Sequence, residues 1–430
     1  MKTRGITRLV SLVLAILVSV SFINMVIEAQ TRQEITLLEA KTRLIRQIYQ
    51  GDIGRHALFA SPSVKMSGAR IASWREPARL TVDRDSWFFF VDEEPGANWE
   101  HQARYVLVDR ATGAVNSVAV RTPPMEILEM ETQSPVAVNQ MTILRQNYRL
   151  VLARPLQLAV IEIPREPKYA VLVSGGWNAT YNYGRYWNDL AFIYKALKEK
   201  YGYTDAQIIV LYANGSHSPN NDLDGDGTND VDYSATKANL TTVMNQVRNN
   251  IETDGEFFFY ATNHGGQEVD GTHEAILYLW GEWIRDDEFA ALTQNIRCAK
   301  AFYVMEQCFS GGMMDDILTA QTYPCTNPRV CVITAANYNE SSWACDTEGQ
   351  YDEYVYHWTS AIYGQTPGGT SVNADTDGDG LVSMSEAHQY ALNRDSRNEH
   401  PTIGSCIADA CGLGLAPSLI LRIRPLQRRP

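Results

Sequence analysis

After residue 29 the sequence lacks any long apolar run, and its 430 residues carry no excess of positive charge. The first lack argues against further membrane-spanning helices, which need about 20 consecutive apolar residues. The second, a formal net charge of −13, argues against a nucleic-acid partner, whose phosphates would be repelled. Cysteine is sparse: Cys298, Cys308, Cys325, Cys331, Cys345, Cys406 and Cys411 are all there is. An odd count leaves at least one thiol unbridged within the chain, and the rest could form three disulfides in any of 15 pairings. Several could equally be plain buried thiols. The remainder, 45% hydrophobic and 20% charged, is ordinary globular composition.

At the N-terminus, Lys2, Arg4 and Arg8 lead into an apolar stretch from Leu9 to Ile23, and Ala29 offers a small residue for cleavage. Residues 1–29 are therefore expected to be an export signal. The chain from Gln30 onward is expected to be secreted or periplasmic, without stable membrane association. An uncleaved anchor is the alternative.

Residues 30–164 read as a separate α+β module. Leu37, Leu38, Leu44, Ile45 and Ile48 have helical spacing. Ser86–Val91 and Tyr105–Asp109 are strand-like, and the turn Asp109-Arg110-Ala111-Thr112-Gly113 leads to a return strand over Val115–Val120. From about Lys168 strands and helices alternate. Strands are expected at 169–174, 207–212, 256–261, 301–305 and 330–334, with helices at 185–200, 235–250 and 286–296. Continuous apolar strands separated by helices imply an α/β fold with a parallel sheet covered on both faces. Active sites of such sheets lie at the carboxyl ends of the strands. A second domain is therefore expected over 165–400, followed by a disulfide-containing segment and basic tail over 401–430, which includes Arg422, Arg424, Arg428 and Arg429.

Two motifs fall at such strand ends. Asn263-His264-Gly265-Gly266 follows the third expected strand, and Glu306-Gln307-Cys308-Phe309-Ser310-Gly311-Gly312 follows the fourth. A cysteine attacks a carbonyl as its thiolate, which a nearby imidazole favours. Flanking glycines let a substrate backbone approach, and the N–H groups of Gly265 and Cys308 could stabilise an oxyanion.

The stretch from about Tyr169 to Gly364 resembles the legumain family of cysteine endopeptidases, in the clan of caspases, gingipain and clostripain. The likeness rests on His264-Gly265, on the Glu306–Gly312 block, and on Tyr181-Asn182-Tyr183-Gly184-Arg185, which is similar to a Tyr-Asn-Tyr-Arg block with one residue inserted. The resemblance implies a caspase-like parallel-rich sheet flanked by helices. It implies Cys308 as nucleophile, His264 as general acid and base, and Asn182 as the residue orienting the imidazole. It also implies a pocket of Arg185, Glu306 and Asp352 that takes Asn, or Asp at acid pH, before the scissile bond. The partners implied are peptides or proteins. The family commonly has His where Tyr186 follows Arg185. Arg/Lys specificity, peptide transamidation and an inactive calcium-stabilised binding module stand as the alternatives.

Two acidic loops suggest structural calcium. Asp375-Thr376-Asp377-Gly378-Asp379-Gly380-Leu381-Val382-Ser383-Met384-Ser385-Glu386 fits the twelve-residue EF-hand loop. Asp375, Asp377, Asp379, the Leu381 carbonyl, Ser383 and Glu386 are its expected ligands, with a helix following. Asp222, Asp224, Asp226, Thr228 and Asp230 begin a second loop in the same way, but its twelfth position is Tyr233 rather than a closing Glu.

Overall fold

The structure, a computed structural model, describes residues 34–416 except 52, 74, 76–78, 134–165, 269–273, 322–327 and 346–349. The expected export signal, Cys325 and the arginine tail lie outside these residues. Among them, no helix is long and apolar enough to cross a membrane.

The chain divides into two units. The described part of the first comprises residues 34–93 and 103–133. Helix α1 (Leu37–Ile48) opens with a capping box in which Thr36 and Glu39 satisfy each other's backbone N–H groups. Strand β1 (Ala57–Ala60), the short pair β2 (Arg70–Ile71) and β3 (Leu80–Thr81), and strands β4 (Ser86–Asp92), β5 (Ala103–Asp109), β6 (Val115–Val120) and β7 (Glu131–Thr132) follow. The main sheet has the order β6-β5-β4-β1-β7 and is antiparallel throughout. Alternation along β4 and β5 sends Phe89, Val91, Val106 and Val108 into one core with Ala40 and Leu44 of α1. At the β5–β6 turn, Asp109 Oδ1 accepts the N–H groups of Ala111 and Thr112, both at 2.8 Å.

The second unit takes Glu94–Gln102 and everything described from residue 166 onward. Its elements are β8 (Glu166–Ser174), α2 (Gly184–Glu199), β9 (Ile208–Tyr212), α3 (Lys237–Asn250), β10 (Ile251–Ala261), β11 (Gly265–Gln267), β12 (Ala275–Tyr278), β13 (Trp283–Arg285), α4 (Asp286–Thr293), β14 (Lys300–Met305), α5 (Gly312–Thr319), β15 (Arg329–Thr334), α6 (Glu353–Tyr363), α7 (Met384–Leu392) and β16 (Thr402–Ser405). Six strands form a sheet of order β16-β15-β14-β10-β8-β9, parallel except for β16. It is a mixed α/β layer flanked by helices. Alternate residues serve opposite faces: Leu172, Tyr260, Val304 and Ile333 join the core that includes α2, α6 and α7. Val171, Phe259, Tyr303 and Val332 join the core under α3, α4 and α5. Strands β10 and β14 pair directly, Ala261 opposite Met305. Their carboxyl ends therefore emerge side by side.

Cys331 on β15 is bridged to Cys411, 80 positions on in sequence, and Cys406 is also disulfide-bonded. Closing so long a loop restricts the unfolded chain by about 4–5 kcal/mol in the entropy model. The paired substitution C331S/C411S is expected to shift the urea midpoint down by a corresponding amount without changing far-UV circular dichroism, read by equilibrium denaturation.

Candidate active site

The carboxyl edge of the sheet gathers residues from five places. His264 follows β10, Cys308 follows β14, Ser342 follows β15, Arg185 and Tyr186 open α2, and Asp352 caps α6. His264, Cys308, Ser342 and Asp352 have no solvent exposure, and Tyr186 is equally buried. Gly265 is required by space, since a Cβ there would lie 2.1 Å from the Cys308 carbonyl oxygen.

The segment Glu94–Gln102 lies in this cleft in extended form. Asn98 N–H donates to the Ser342 carbonyl at 2.9 Å, Ala344 N–H donates to the Gly96 carbonyl at 3.0 Å, and Ala97 pairs antiparallel with Trp343. Beyond Asn98, Gly265 N–H donates to the Trp99 carbonyl at 2.9 Å, and Glu100 N–H donates to the Gly265 carbonyl at 2.6 Å. The Cys308 thiol donates to the Asn98 carbonyl at 3.0 Å. On the other side of the same peptide group, Trp99 N–H donates to His264 Nδ1 at 3.1 Å.

His264 Nε2 lies 2.7 Å from the Tyr181 carbonyl. A carbonyl only accepts and an amide N–H only donates, so these two contacts fix the tautomer: Nε2 carries the hydrogen and Nδ1 presents a lone pair. Tyr186 Oη is 3.0 Å from Nδ1. The Tyr181 carbonyl thus orients the imidazole. The Asn182 amide, expected to do so, donates to the Tyr212 hydroxyl at 2.8 Å.

The Asn98 side chain enters a pocket that meets every polar atom of its amide. Oδ1 accepts from Arg185 Nη2 and, at 2.7 Å, from the Tyr186 hydroxyl. Nδ2 donates to Ser342 Oγ at 3.0 Å and Asp352 Oδ1 at 3.2 Å. Arg185 Nε binds Asp352 Oδ1 at 2.6 Å. Glu306 stands apart from the amide: its Oε2 accepts the Val355 N–H at 3.2 Å. Of the residues expected from sequence, Cys308, His264, Gly265, Arg185 and Asp352 are brought together around one peptide unit. Asn182 and Glu306 make their described hydrogen bonds elsewhere. Tyr186, Ser342 and the Tyr181 carbonyl join the site without having been expected in it. Tyr186 could have been suspected from its place beside Arg185; a carbonyl leaves no sequence signal.

Burial governs the charges. It pushes the Cys308 thiol up to about 12 against hydrogen bonds from Ser342. It also holds His264 well below its ordinary value, with Arg185 adding to the effect. Both groups are neutral in this state. Burial, reinforced by the neighbouring Asp352, pushes Asp189 and Glu306 well above the carboxylate range. Asp352 is raised by burial too, but Arg185 counters that.

The acidic loops have the following geometry. In 375–386, Asp375 accepts the N–H groups of Gly378 and Gly380 at 2.7 and 2.9 Å. Asp377 Oδ1 accepts from Asp379 N–H at 3.0 Å, and Asp379 Oδ1 from Leu381 N–H at 2.7 Å. Ser383 and Glu386 form the capping box of α7. Asp375, Asp377 and Glu386 each bring an oxygen within 4.8 Å of the others, and these oxygens fit a hard cation. In the other loop, Asp222, Asp224 and Asp230 also each bring an oxygen within 4.8 Å of the others. There, however, Lys198 Nζ sits 2.6 Å from Asp224 and 3.3 Å from Asp226, while Asp226 Oδ1 accepts from Thr228. An ammonium already supplies positive charge to that loop.

Residues 168–366 match the Peptidase C13 family. The matched span runs from β8 past α6 and contains His264 and Cys308, and it supports a legumain-like cysteine peptidase of the caspase clan. A peptidase implies peptide or protein substrates. No curated protein matches the chain. Among solved structures, the crystal structure of protein GSU0716 from Geobacter sulfurreducens is similar at 13% identity, covering 59% of this chain and 98% of that one with a TM-score of 0.38.

A thiol at about 12 is ionised to roughly one part in 10⁴ at pH 8, and only the thiolate alkylates. Iodoacetamide at pH 8 is therefore expected to label Cys308 in the intact chain about 10³-fold more slowly than an exposed cysteine. Peptide mapping of the labelled protein measures this.

Proposed function

We propose that the protein is an exported cysteine endopeptidase that hydrolyses peptide bonds after asparagine, with Cys308 as nucleophile and His264 as general acid and base. The observation that carries this reading is the peptide unit held between Cys308 Sγ and His264 Nδ1. Cys308 attacks the carbonyl carbon, the imidazole delivers a proton to the departing nitrogen, and water then hydrolyses the thioester. Gly265 N–H, and the N–H of Cys308 beside it, are the donors for the developing oxyanion.

Asparagine preference follows from complementarity. Arg185 and Tyr186 donate where a carboxamide accepts, and Asp352 accepts where it donates. An ionised aspartate would set its second oxygen against Asp352. A lysine or arginine side chain would meet the guanidinium of Arg185, which disfavours the basic-residue alternative.

Peptides differing only in the residue before the scissile bond test the reading, assayed after the cleft has been opened by limited proteolysis. Cleavage after Asn is expected to exceed cleavage after Arg or Lys by at least about 10²-fold. C308A is expected to lose about 10⁴-fold or more in kcat, and H264A about 10²- to 10⁴-fold. Hydrolysis after Asp is expected to rise as pH falls from 7 towards about 4, where the substrate carboxyl gains its proton. Hydrolysis after Arg in preference to Asn would sink the pocket assignment.

Calcium at 375–386 belongs to the same proposal, in a structural role. Asp375, Asp377, Asp379, the Leu381 carbonyl and Glu386 would hold it, directly or through water at Ser383. Calcium at about 100 times its dissociation constant adds about 2.7 kcal/mol of stability, so the melting temperature is expected to rise by several degrees. The rise is expected to vanish in E386Q, read by scanning calorimetry with calcium and with EGTA.

A further inference from the structure

We infer that the Asn98–Trp99 bond is the protein's own substrate bond, cut within the chain by Cys308; this rests on the catalytic roles proposed above. Three observations converge on it. The backbone from Gly96 to Asn98 adds as an antiparallel strand along Ser342–Ala344, which is how a peptide binds a sheet edge. The Asn98 amide fills the pocket with all its donors and acceptors met. The bond that follows Asn98 has the thiol at its carbonyl and the imidazole lone pair at its N–H. Chance burial of a loop explains none of these, and still less their joint register on a single residue.

The segment also has an unusual place in the chain. It connects β4 and β5, which pair residue for residue from Ser86–Asp109 to Asp92–Ala103. Antiparallel neighbours of this kind need only about two to five connecting residues. Here the connection runs through 93–102, and Glu94–Gln102 groups with the peptidase unit rather than with the strands it joins.

The structure holds the step before reaction. The Cys308 thiol donates to the Asn98 carbonyl at 3.0 Å, and Gly265 N–H is engaged by the Trp99 carbonyl rather than by that of Asn98. Cleavage requires the Asn98 carbonyl to turn towards Gly265 N–H. The thiol proton then passes to His264 Nδ1, Sγ bonds to the Asn98 carbonyl carbon, and the C–N bond breaks. The Trp99 nitrogen leaves as an amine with the proton from His264. Water hydrolyses the thioester, leaving a carboxylate on Asn98 and restoring the thiol. The uncut segment fills the cleft, so cleavage also admits outside substrates.

The test follows the purified full chain over time by intact mass and N-terminal sequencing, alongside C308A, N98A and N98Q, with circular dichroism to establish that each is folded. A new N-terminus at Trp99 is expected in the wild type, forming at a rate independent of protein concentration. It is expected to be absent in C308A and at least about tenfold slower in N98A and N98Q. Hydrolysis of an Asn peptide by the wild type is expected to grow with the cut fraction. N98A and N98Q, whose uncut segment stays seated by its main-chain bonds, are expected to hydrolyse that peptide at least about tenfold more slowly than cut wild type until limited proteolysis opens the segment. If C308A is cut as fast as wild type, or the wild type hydrolyses Asn peptides through Cys308 with the Asn98–Trp99 bond intact, the inference is overturned and the function stands. A cut rate that rises with concentration overturns it as an intramolecular event. If the folded wild type cuts neither the 98–99 bond nor any peptide, even after limited proteolysis of the segment, the function itself fails.

Discussion

The ion pair between Arg185 and Asp352 sets the terms for the carboxyl edge of the second unit's parallel sheet. A largely buried guanidinium, such as that of Arg185 with its side chain 13% exposed, carries a desolvation cost that a carboxylate partner offsets. Arg185 meets that need at 2.6 Å, with the rings of Tyr183 and Tyr186 stacked about its charge at 4.4 and 5.1 Å. Because α2 supplies the cation and α6 the anion, the pair also ties the two helices together where the strands end. Other buried acids gather nearby. Asp189, one turn beyond Arg185, accepts from Thr262 and from the Asp352 backbone. With Arg185 committed to Asp352, Asp189 and Glu306 keep their protons. The outcome is a pocket that is polar yet close to neutral. A neutral amide with donors and acceptors suits it better than a full charge of either sign.

The same burial that builds the pocket leaves the reactive pair idle. A thiol near 12 and a suppressed imidazole cannot share a proton in advance, so this is not a site waiting with a preformed thiolate–imidazolium pair. The groups are instead disposed on two sides of a peptide bond, and in the proposed mechanism their ionisation becomes favourable as charge develops on that bond. In the proposed mechanism, an environment that suppresses charge in the resting state favours selectivity, because only a correctly seated carbonyl draws the Cys308 thiol out as a nucleophile.

Much of the fold was legible because it depends on periodicity. Runs such as YAVLVS and AFYVM are buried on both faces, and their continuity marked β8 and β14 to within a few residues. His264 and Cys308 stood out because they follow such runs, and parallel topology makes neighbours of their strand ends. Short antiparallel pieces escaped notice: β11 and β13 span three residues each, too few for an alternation to register. The site was harder to read where it depends on main chain or on distant loops. Glu306 lies two residues from Cys308, but its carboxyl reaches Val355 on α6. Asn98 and Ser342 lie 244 residues apart in stretches with no periodic pattern. Nothing local in Glu94-Pro95-Gly96-Ala97-Asn98-Trp99 separates it from an ordinary surface turn.

The imidazole is oriented by the carbonyl of Tyr181, and that has a consequence for how the site tolerates change. Every residue type presents the same oxygen, so no side-chain replacement at position 181 can delete the contact. A mutational scan would rate the position by its aromatic packing alone and overlook its part in the chemistry. Change in sequence there acts through the packing of the buried Tyr181 ring against His264, whereas at His264 or Cys308 it removes the group itself. What must persist is the path of the backbone between β8 and α2, which makes the shape of that connection, rather than any letter in it, the invariant.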